Sequence, residues 1–351
     1  MQDVYVHNLS PFVIQFTESL GIRWYGLSYL LGFLTSYLIA DWLAKKNLIL
    51  IPREKISDFI TFGALGALIG GRVGYCLFYK PELLLSFTSS FPFWGVFEVH
   101  KGGMASHGGI LGIMVGCYLF ALREKLDPLH VIDTASFGGQ WGVIYGRIAN
   151  FINGELYGRE APLGTSWAVK FPTEVYSWKI TDTDLMRKLG GAVDALGQYT
   201  IAQWNTFILE PSLHVRQIES SIYDIVEATH KNNKAVLEAL RPILTARYPS
   251  QLIQAALEGF LVFIVLVIVW RVPRKPGVVS GVFGITYALT RIIGEQYRLP
   301  DSYIGFELFG LTRGQWLSIG LILIAFLYIG YSLRRDSKPV GGWYQKHLKN
   351  N

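Results

Sequence analysis

The sequence predicts an all-α polytopic membrane protein of about seven transmembrane helices, carrying an α+β extracytoplasmic elaboration between spans four and five. Three observations lead there. Of 351 residues, 51% are apolar and only 17% charged, against about 25% charged in an average soluble domain. The apolar residues fall in long blocks: Leu252–Trp270 holds one charge and Trp316–Leu333 none. Either block can cross a hydrocarbon core about 30 Å thick at about 1.5 Å per residue. Lastly, basic residues gather on alternate connections. A mean hydropathy of +0.31 excludes a disordered chain and a coiled coil.

The expected spans are Trp24–Asp41, Phe59–Phe78, Met104–Leu122, Val131–Ile152, Leu252–Trp270, Val278–Gln296 and Trp316–Leu333. The third, fourth and sixth are rich in Gly or interrupted by Arg. Met1–Gly21 has no Lys or Arg and no cleavage-like site, so it does not resemble a signal peptide. Residues 1–152 then hold spans one to four, 153–251 an outer loop or head, 252–333 spans five to seven, and 334–351 a tail.

Orientation follows from the connections. Lys45, Lys46, Arg53 and Lys55 follow span one, and Arg123 and Lys125 follow span three. Arg271, Arg274 and Lys275 follow span five, and five basic residues from Arg334 to Lys349 follow span seven. The opposite short connections carry two each, in Lys80–Gly102 and Tyr297–Arg313. The loop 151–251 is too long to count in this rule. The N-terminus is therefore expected outside and the C-terminus in the cytoplasm. The net charge of +6 reads as positive-inside bias, with no nucleic-acid partner expected.

The long loop is the one candidate soluble domain, with aromatic-rich segments at Trp167–Phe171 and Tyr176–Lys179 and a polar helical stretch near Ile218–Leu240. Cys76 and Cys117 both lie inside spans. They support neither a disulfide framework nor a metal cluster.

Glycines number 37, above the usual share of about 7%. Gly66/Gly70/Gly74, Gly108/Gly112/Gly116 and Gly138/Gly142/Gly146 recur every fourth residue. That spacing predicts helix faces where backbones approach closely. His107-Gly108-Gly109 and Gly102-Gly103 are possible exceptions, because they sit where a helix starts.

Arg23, Arg72, His107, Arg147, Glu258, Arg291 and Glu295 lie within spans or at their ends. A charge at the bilayer centre costs at least about 2.5–3.5 kcal/mol. Such residues usually face the bundle interior and mark a site, the plain alternative being an ion pair or a snorkelling side chain. With the expected topology Arg72, His107, Arg147, Asn150, Glu258, Arg291 and Glu295 fall in the outer half, with Arg298 just beyond. Tyr287, Arg291, Glu295 and Arg298 share one helix face, and Arg291 and Glu295 are placed to pair at i, i+4. Arg147 and Asn150 are likewise i, i+3. Arginines at headgroup depth suit an anionic phospholipid, since guanidinium stays charged when buried and grips phosphate bidentately.

The string from Gly146 to Arg159 (Gly-Arg-Ile-Ala-Asn-Phe-Ile-Asn-Gly-Glu-Leu-Tyr-Gly-Arg) resembles the signature of bacterial prolipoprotein diacylglyceryl transferases. Ile22–Gly26, Gly70–Tyr75, Gly102–Gly109 and Tyr287–Asp301 resemble further segments of that family, in its order. Ala149, Ser106 and Tyr248 depart from its usual residues, and the outer loop is longer than usual. The resemblance implies a seven-span, N-outside enzyme of the bacterial cytoplasmic (inner) membrane with its active site toward the outer leaflet. It implies transfer of the diacylglyceryl group of phosphatidylglycerol to the lipobox cysteine thiol of a preprolipoprotein signal peptide. The product is a thioether, glycerol phosphate leaves, and no cofactor takes part.

The chemistry of the residues is compatible. The substrate supplies the thiol, whose reactive form is the thiolate, so neither cysteine of the chain need be catalytic. Arginines can stabilise a departing phosphate. The expected roles are then as follows. Arg147 and Asn150 bind the headgroup. Arg291 stabilises the departing phosphate or lowers the thiol pKa. Tyr25 and Tyr287 orient the headgroup or donate a hydrogen bond. Glu155 and Glu295 orient arginines, and Arg298 and Arg72 supplement the positive field. Gly158 is placed at the substrate by the signature. His107 serves either as general base or as a hydrogen-bonding residue at a helix start, since an arginine-activated thiolate needs no histidine.

Competing readings are a lipid transporter or flippase, a non-catalytic assembly protein and a different transferase using the same lipid. A transporter predicts charges along the full depth, whereas here they stop in the outer half. An assembly protein explains the glycines but not a His, Tyr, Arg and Asn cluster at one depth. Only the signature string argues against another transferase.

Overall fold

The computed structural model describes residues 4–17, 20–98, 102–299 and 308–344, without the side chains of Ser106 and His107. The chain is mostly helical. Each of the seven expected apolar segments overlaps a helix: α1 (Trp24–Lys45), α2 (Ile56–Phe78), α3 (Ser106–Glu124, starting two residues after the expected Met104), α4 (Pro128–Ile152), a continuous run Ser250–Val269, α12 (Val278–Gly294, ending before the expected Gln296) and α13 (Arg313–Arg334). Among the described residues, four helices are long and apolar enough to cross a membrane: Trp24–Lys45, Arg53–Phe78, Ser250–Val269 and Arg313–Arg334. Val278–Gly294 is a shorter apolar helix. Their apolar side chains point outward as well as inward: Leu323, Ile324 and Leu327 of α13 are 62%, 64% and 76% exposed. A water-soluble helix would place such a stripe against a core.

Helix ends follow local chemistry. Asn47 adopts φ 55° after α1, with Leu48 N–H bonding Leu43 C=O and Asn47 N–H bonding Ala44 C=O, both at 2.9 Å. This is a Schellman ending, for which Asn is one of the few side chains suited. Within the Ser250–Val269 run, α10 (Ser250–Gln254) passes into α11 (Val262–Val269) through a π-helical segment, Ala255–Leu261. Glu258 is buried in that segment.

The chain divides into two compact units. One comprises Leu30–Val143, Glu258–Thr290 and Leu317–Asn351. Its core gathers Leu43, Ile51, Ile56, Phe59, Phe120, Val131, Phe137, Leu266 and Trp270. Cys117 lies in that core, and both cysteines are free and buried. Within it α2 and α3 pack through their glycines. A Cβ on Gly66 would fall 2.2 Å from the Gly112 carbonyl oxygen, and one on Gly70 2.3 Å from that of Gly108. The four-residue spacing is therefore a packing seam. The third glycine series is partly of this kind: Gly138 abuts Ser36, and Gly142 meets Gly32. Asp133, buried in α4, accepts from the N–H groups of Gly277 (2.8 Å) and Ser280 (2.7 Å). It thereby satisfies the positive start of α12.

The second unit comprises Met1–Tyr29, Ile144–Leu257 and Arg291–Trp316. A small sheet runs β1 (Tyr5–Val6), β4 (Val169–Lys170), β5 (Ala246–Arg247), with β1 parallel and β5 antiparallel to β4. A hairpin pairs β2 (Phe12–Gln15) with β3 (Gly21–Arg23). Five helices fill the long loop: α5 (Thr183–Lys188), α6 (Gly190–Leu196), α7 (Ile201–Leu209), α8 (Val215–His230) and α9 (Lys234–Leu240). The polar stretch near Ile218–Leu240 is thus two helices. Ile218, Ile222, Ile225, Val226 and Thr229 form the buried face of α8 at three- and four-residue spacing. They close on Trp204, Met186 and Leu240.

Candidate active site

The residues of the signature string sit at the end of α4 and in the loop that follows it. α4 also ends in a Schellman motif: Gly154 has φ 66°, its N–H bonds Phe151 C=O at 2.9 Å, and Glu155 N–H bonds Asn150 C=O at 3.1 Å. Gly154 is the residue that can take this conformation cheaply. The turn brings Glu155 back over Asn150, whose amide donates to Glu155 Oε1 at 3.1 Å. The same amide nitrogen bonds the hydroxyl of Tyr25, at the start of α1. Tyr25, Asn150 and Glu155 therefore form one chain, with Arg147 half-buried a turn earlier on α4. Burial raises the Glu155 carboxyl above the ordinary carboxylate range.

A second cluster forms just after α12. Glu295 is 4% exposed and lies 2.6 Å from an Arg291 guanidinium nitrogen, the i, i+4 pair expected from the spacing. Arg298 approaches the same carboxylate oxygen at 4.0 Å. The other oxygen accepts from the Thr312 hydroxyl at 3.2 Å. Gly314 abuts this carboxylate, since a Cβ there would lie 3.0 Å from Glu295 Oε1. Two half-buried arginines thus share one buried glutamate.

The loop 155–159 bridges the two clusters. The Glu155 carbonyl accepts from Gln251 Nε2 at 2.6 Å, and that of Leu156 from Ser250 Oγ at 2.9 Å. Gly158 N–H bonds Tyr248 C=O, and Arg159 N–H bonds Tyr297 C=O, both at 2.9 Å. Gly158 lies between these two backbones: a Cβ would fall 2.4 Å from the Tyr248 oxygen and 2.5 Å from that of Tyr297. Its carbonyl accepts from Arg247 at 3.4 Å. The local reason for glycine at this position is close backbone approach. Arg247 is in turn held by Glu174 at 2.7 Å and lies over the Tyr157 ring.

Arg72, Tyr287 and His107 belong to the other unit. Arg72 is 6% exposed. Its guanidinium donates to the carbonyls of Gly95 (2.8 Å), Val96 (2.6 Å), Gly102 (2.7 Å) and Gly103 (3.0 Å). It is a clamp on the α2–α3 connection. Tyr287 stacks on Phe283 along α12. His107 is in the first turn of α3, and its side chain lies outside the described residues, as does Asp301. Arg23 covers the Phe12 ring at 4.5 Å, tying the β2–β3 hairpin.

Sequence reasoning did not single out Thr312 or Gly314, nor the carbonyl-binding roles of Arg159 and Arg72. Arg159 was visible as the last residue of the signature string. The backbone partners of both arginines have no sequence pattern of their own.

Residues 11–331 match the sequence model of the prolipoprotein diacylglyceryl transferase family. A phosphatidylglycerol–prolipoprotein diacylglyceryl transferase of Bdellovibrio bacteriovorus is 41% identical over 97% of this chain and 98% of its own. One of Paraburkholderia phytofirmans is 32% identical over 93% and 94%. One of Neisseria gonorrhoeae is 30% identical over 94% and 98%. A match of nearly the whole chain means that the chain belongs to the prolipoprotein diacylglyceryl transferase family.

Proposed function

We propose that the protein transfers the diacylglyceryl group of phosphatidylglycerol to the lipobox cysteine thiol of a preprolipoprotein signal peptide. The observation that carries the chemistry is the Arg291–Glu295–Arg298 cluster, two half-buried arginines on one buried carboxylate. Glu295 holds both guanidinium groups ready for a phosphate. When the phosphate develops further charge, Arg291 and Arg298 stabilise it in a poorly hydrated setting. The thiolate sulfur attacks the glyceryl carbon that bears the phosphate ester. The carbon–oxygen bond breaks with its electron pair going to the phosphate oxygen, and a thioether forms.

Arg147 and Asn150 take the headgroup, and Tyr25 and Glu155 fix the Asn150 amide that does so. Tyr287 orients the headgroup. His107 accepts the thiol proton, or Arg291 lowers the thiol pKa enough to make a base unnecessary. Gly158 shapes the site by letting two backbone segments approach. Arg72 holds the connection leading to α3 and adds positive charge. The enzyme spans the bacterial cytoplasmic membrane seven times, N-terminus outside, with this site toward the outer leaflet. Residues 153–251 form its extracytoplasmic head.

The test is transfer in detergent from phosphatidylglycerol to a lipobox peptide, followed by mass spectrometry. A diacylglyceryl adduct on the cysteine, lost in Arg147→Ala, is the expected result. His107→Gln separates a base from a bystander by its rate. Absence of adduct while the lipid still binds would refute the transferase reading.

A further inference from the structure

Arg159 has no part in the chemistry described above, yet it is tied to the segment that carries Arg298 and the glutamate holding both arginines. After α12 the chain turns through Glu295–Arg298. Glu295 N–H still bonds Arg291 C=O at 3.0 Å, while Gln296 and Tyr297 bond back to Ile293 and Gly294. Arg159 takes the carbonyls of Glu295, Tyr297 and Arg298 in this turn. Its guanidinium donates to Arg298 C=O at 2.9 Å and Glu295 C=O at 3.3 Å, and its N–H to Tyr297 C=O at 2.9 Å. Gly158 alone leaves room for this approach.

These acceptors lie in the turn just past α12, whose own last carbonyls carry the negative end of the helix dipole, so a cation is favourable nearby. The planar fork of Arg reaches two carbonyls at once, which the single ammonium of Lys cannot do in the same geometry. The two contacts bracket Glu295 and Arg298. The fork therefore sets how far apart these residues stand and how they face Arg291.

We propose that Arg159 is a positioning residue: through the Glu295 and Arg298 carbonyls it fixes the arginine pair that receives the lipid phosphate. The proposal rests on the reading that Arg291 and Arg298 are phosphate ligands. Displacement of a catalytic group by about 1 Å can lower rate roughly 100-fold.

The experiment uses the full-length enzyme in detergent and the variants Arg159→Lys, Arg159→Ala, Arg298→Ala and the double variant Arg159→Lys/Arg298→Ala. It measures kcat, KM for phosphatidylglycerol and inhibition by glycerol phosphate, the leaving product. Loss of folded enzyme lowers the apparent kcat but leaves KM and the inhibition constant unchanged. A misplaced arginine pair moves them. Arg159→Lys is expected to lower kcat/KM by roughly 10- to 100-fold, to weaken glycerol phosphate inhibition, and to add little to Arg298→Ala, because coupled residues are not additive. Arg159→Lys with unchanged KM and inhibition constant, or effects that multiply fully with Arg298→Ala, would overturn the proposal. Arg298→Ala with wild-type kinetics would instead remove the phosphate-ligand reading on which it rests. Arg159→Ala enters only through KM and inhibition, so poor folding cannot imitate the effect.

Discussion

Replacing Gly158 by Ala adds one methyl group between two backbones. The new carbon would stand 2.4 Å from the Tyr248 oxygen and 2.5 Å from the Tyr297 oxygen. Non-bonded heavy atoms settle at about 3.5 Å, so each strand must retreat by about 1 Å. The hydrogen bonds from Gly158 N–H to Tyr248 and from Arg159 N–H to Tyr297, now 2.9 Å, would then stretch beyond effective range. Overpacking costs about 1–3 kcal/mol, and the two bonds add about 1 kcal/mol each. The sum is about 3–5 kcal/mol, equivalent to roughly 10 °C in Tm for a unit of this size. The control is Gly146→Ala in α4, where an added Cβ meets no atom within 4 Å. It should gain about 0.5–1 kcal/mol, the usual difference between Ala and Gly inside a helix. Thermal unfolding in detergent, with transfer activity on the same samples, measures both. Gly158→Ala melting within about 2 °C of wild type and retaining full kcat/KM would refute the close-packing account of the loop.

Two further outcomes are expected. Arg72→Ala removes the donor to four backbone carbonyls, and hydrogen bonds to a charged group are worth about 1.5–3 kcal/mol each. It should expose the backbone at Gly95–Val96 and Gly102–Gly103 to limited proteolysis, with Arg72→Lys intermediate because it supplies fewer, non-planar donors. Equal cleavage in all three proteins would show that the clamp is dispensable. His7 is buried against Phe151 and Phe171, and burial lowers its pKa to about 4 from the model-peptide 6.5. The folded protein then binds fewer protons than the unfolded chain between those values. Stability is therefore full above about pH 6.5 and falls by up to about 3 kcal/mol as pH drops toward 4. A His7→Phe variant should flatten that part of the Tm–pH curve, and an unchanged slope would remove His7 as its cause.

The long helices were legible because their apolar runs exceed what a soluble helix needs. The Arg291–Glu295 pair was legible because i, i+4 spacing fixes its partner. So was the α2–α3 seam, from glycines four apart. The β1–β4–β5 sheet was not, since two-residue strands have no alternation to read and their partners are distant in sequence. Arg72 read as a contributor of positive field, whereas four carbonyls surround it. Their positions depend on how the connection folds back, which no side-chain pattern encodes. The π-helical turn around Glu258 was hidden for a related reason: one extra residue per turn leaves an otherwise apolar run looking unchanged. At the end of α4, Asn150, Gly154 and Glu155 were legible as a set but not as a helix ending.

The seam between α2 and α3 restricts motion as well as sequence. Most helix interfaces are cushioned by side chains that change rotamer and let one helix slide past the other. Between Gly66, Gly70, Gly108 and Gly112 backbone meets backbone, so there is no cushion. Sliding by a fraction of a turn would drive carbonyl oxygens into Cα atoms. The two helices accordingly form a rigid plank that moves, if it moves, as one body.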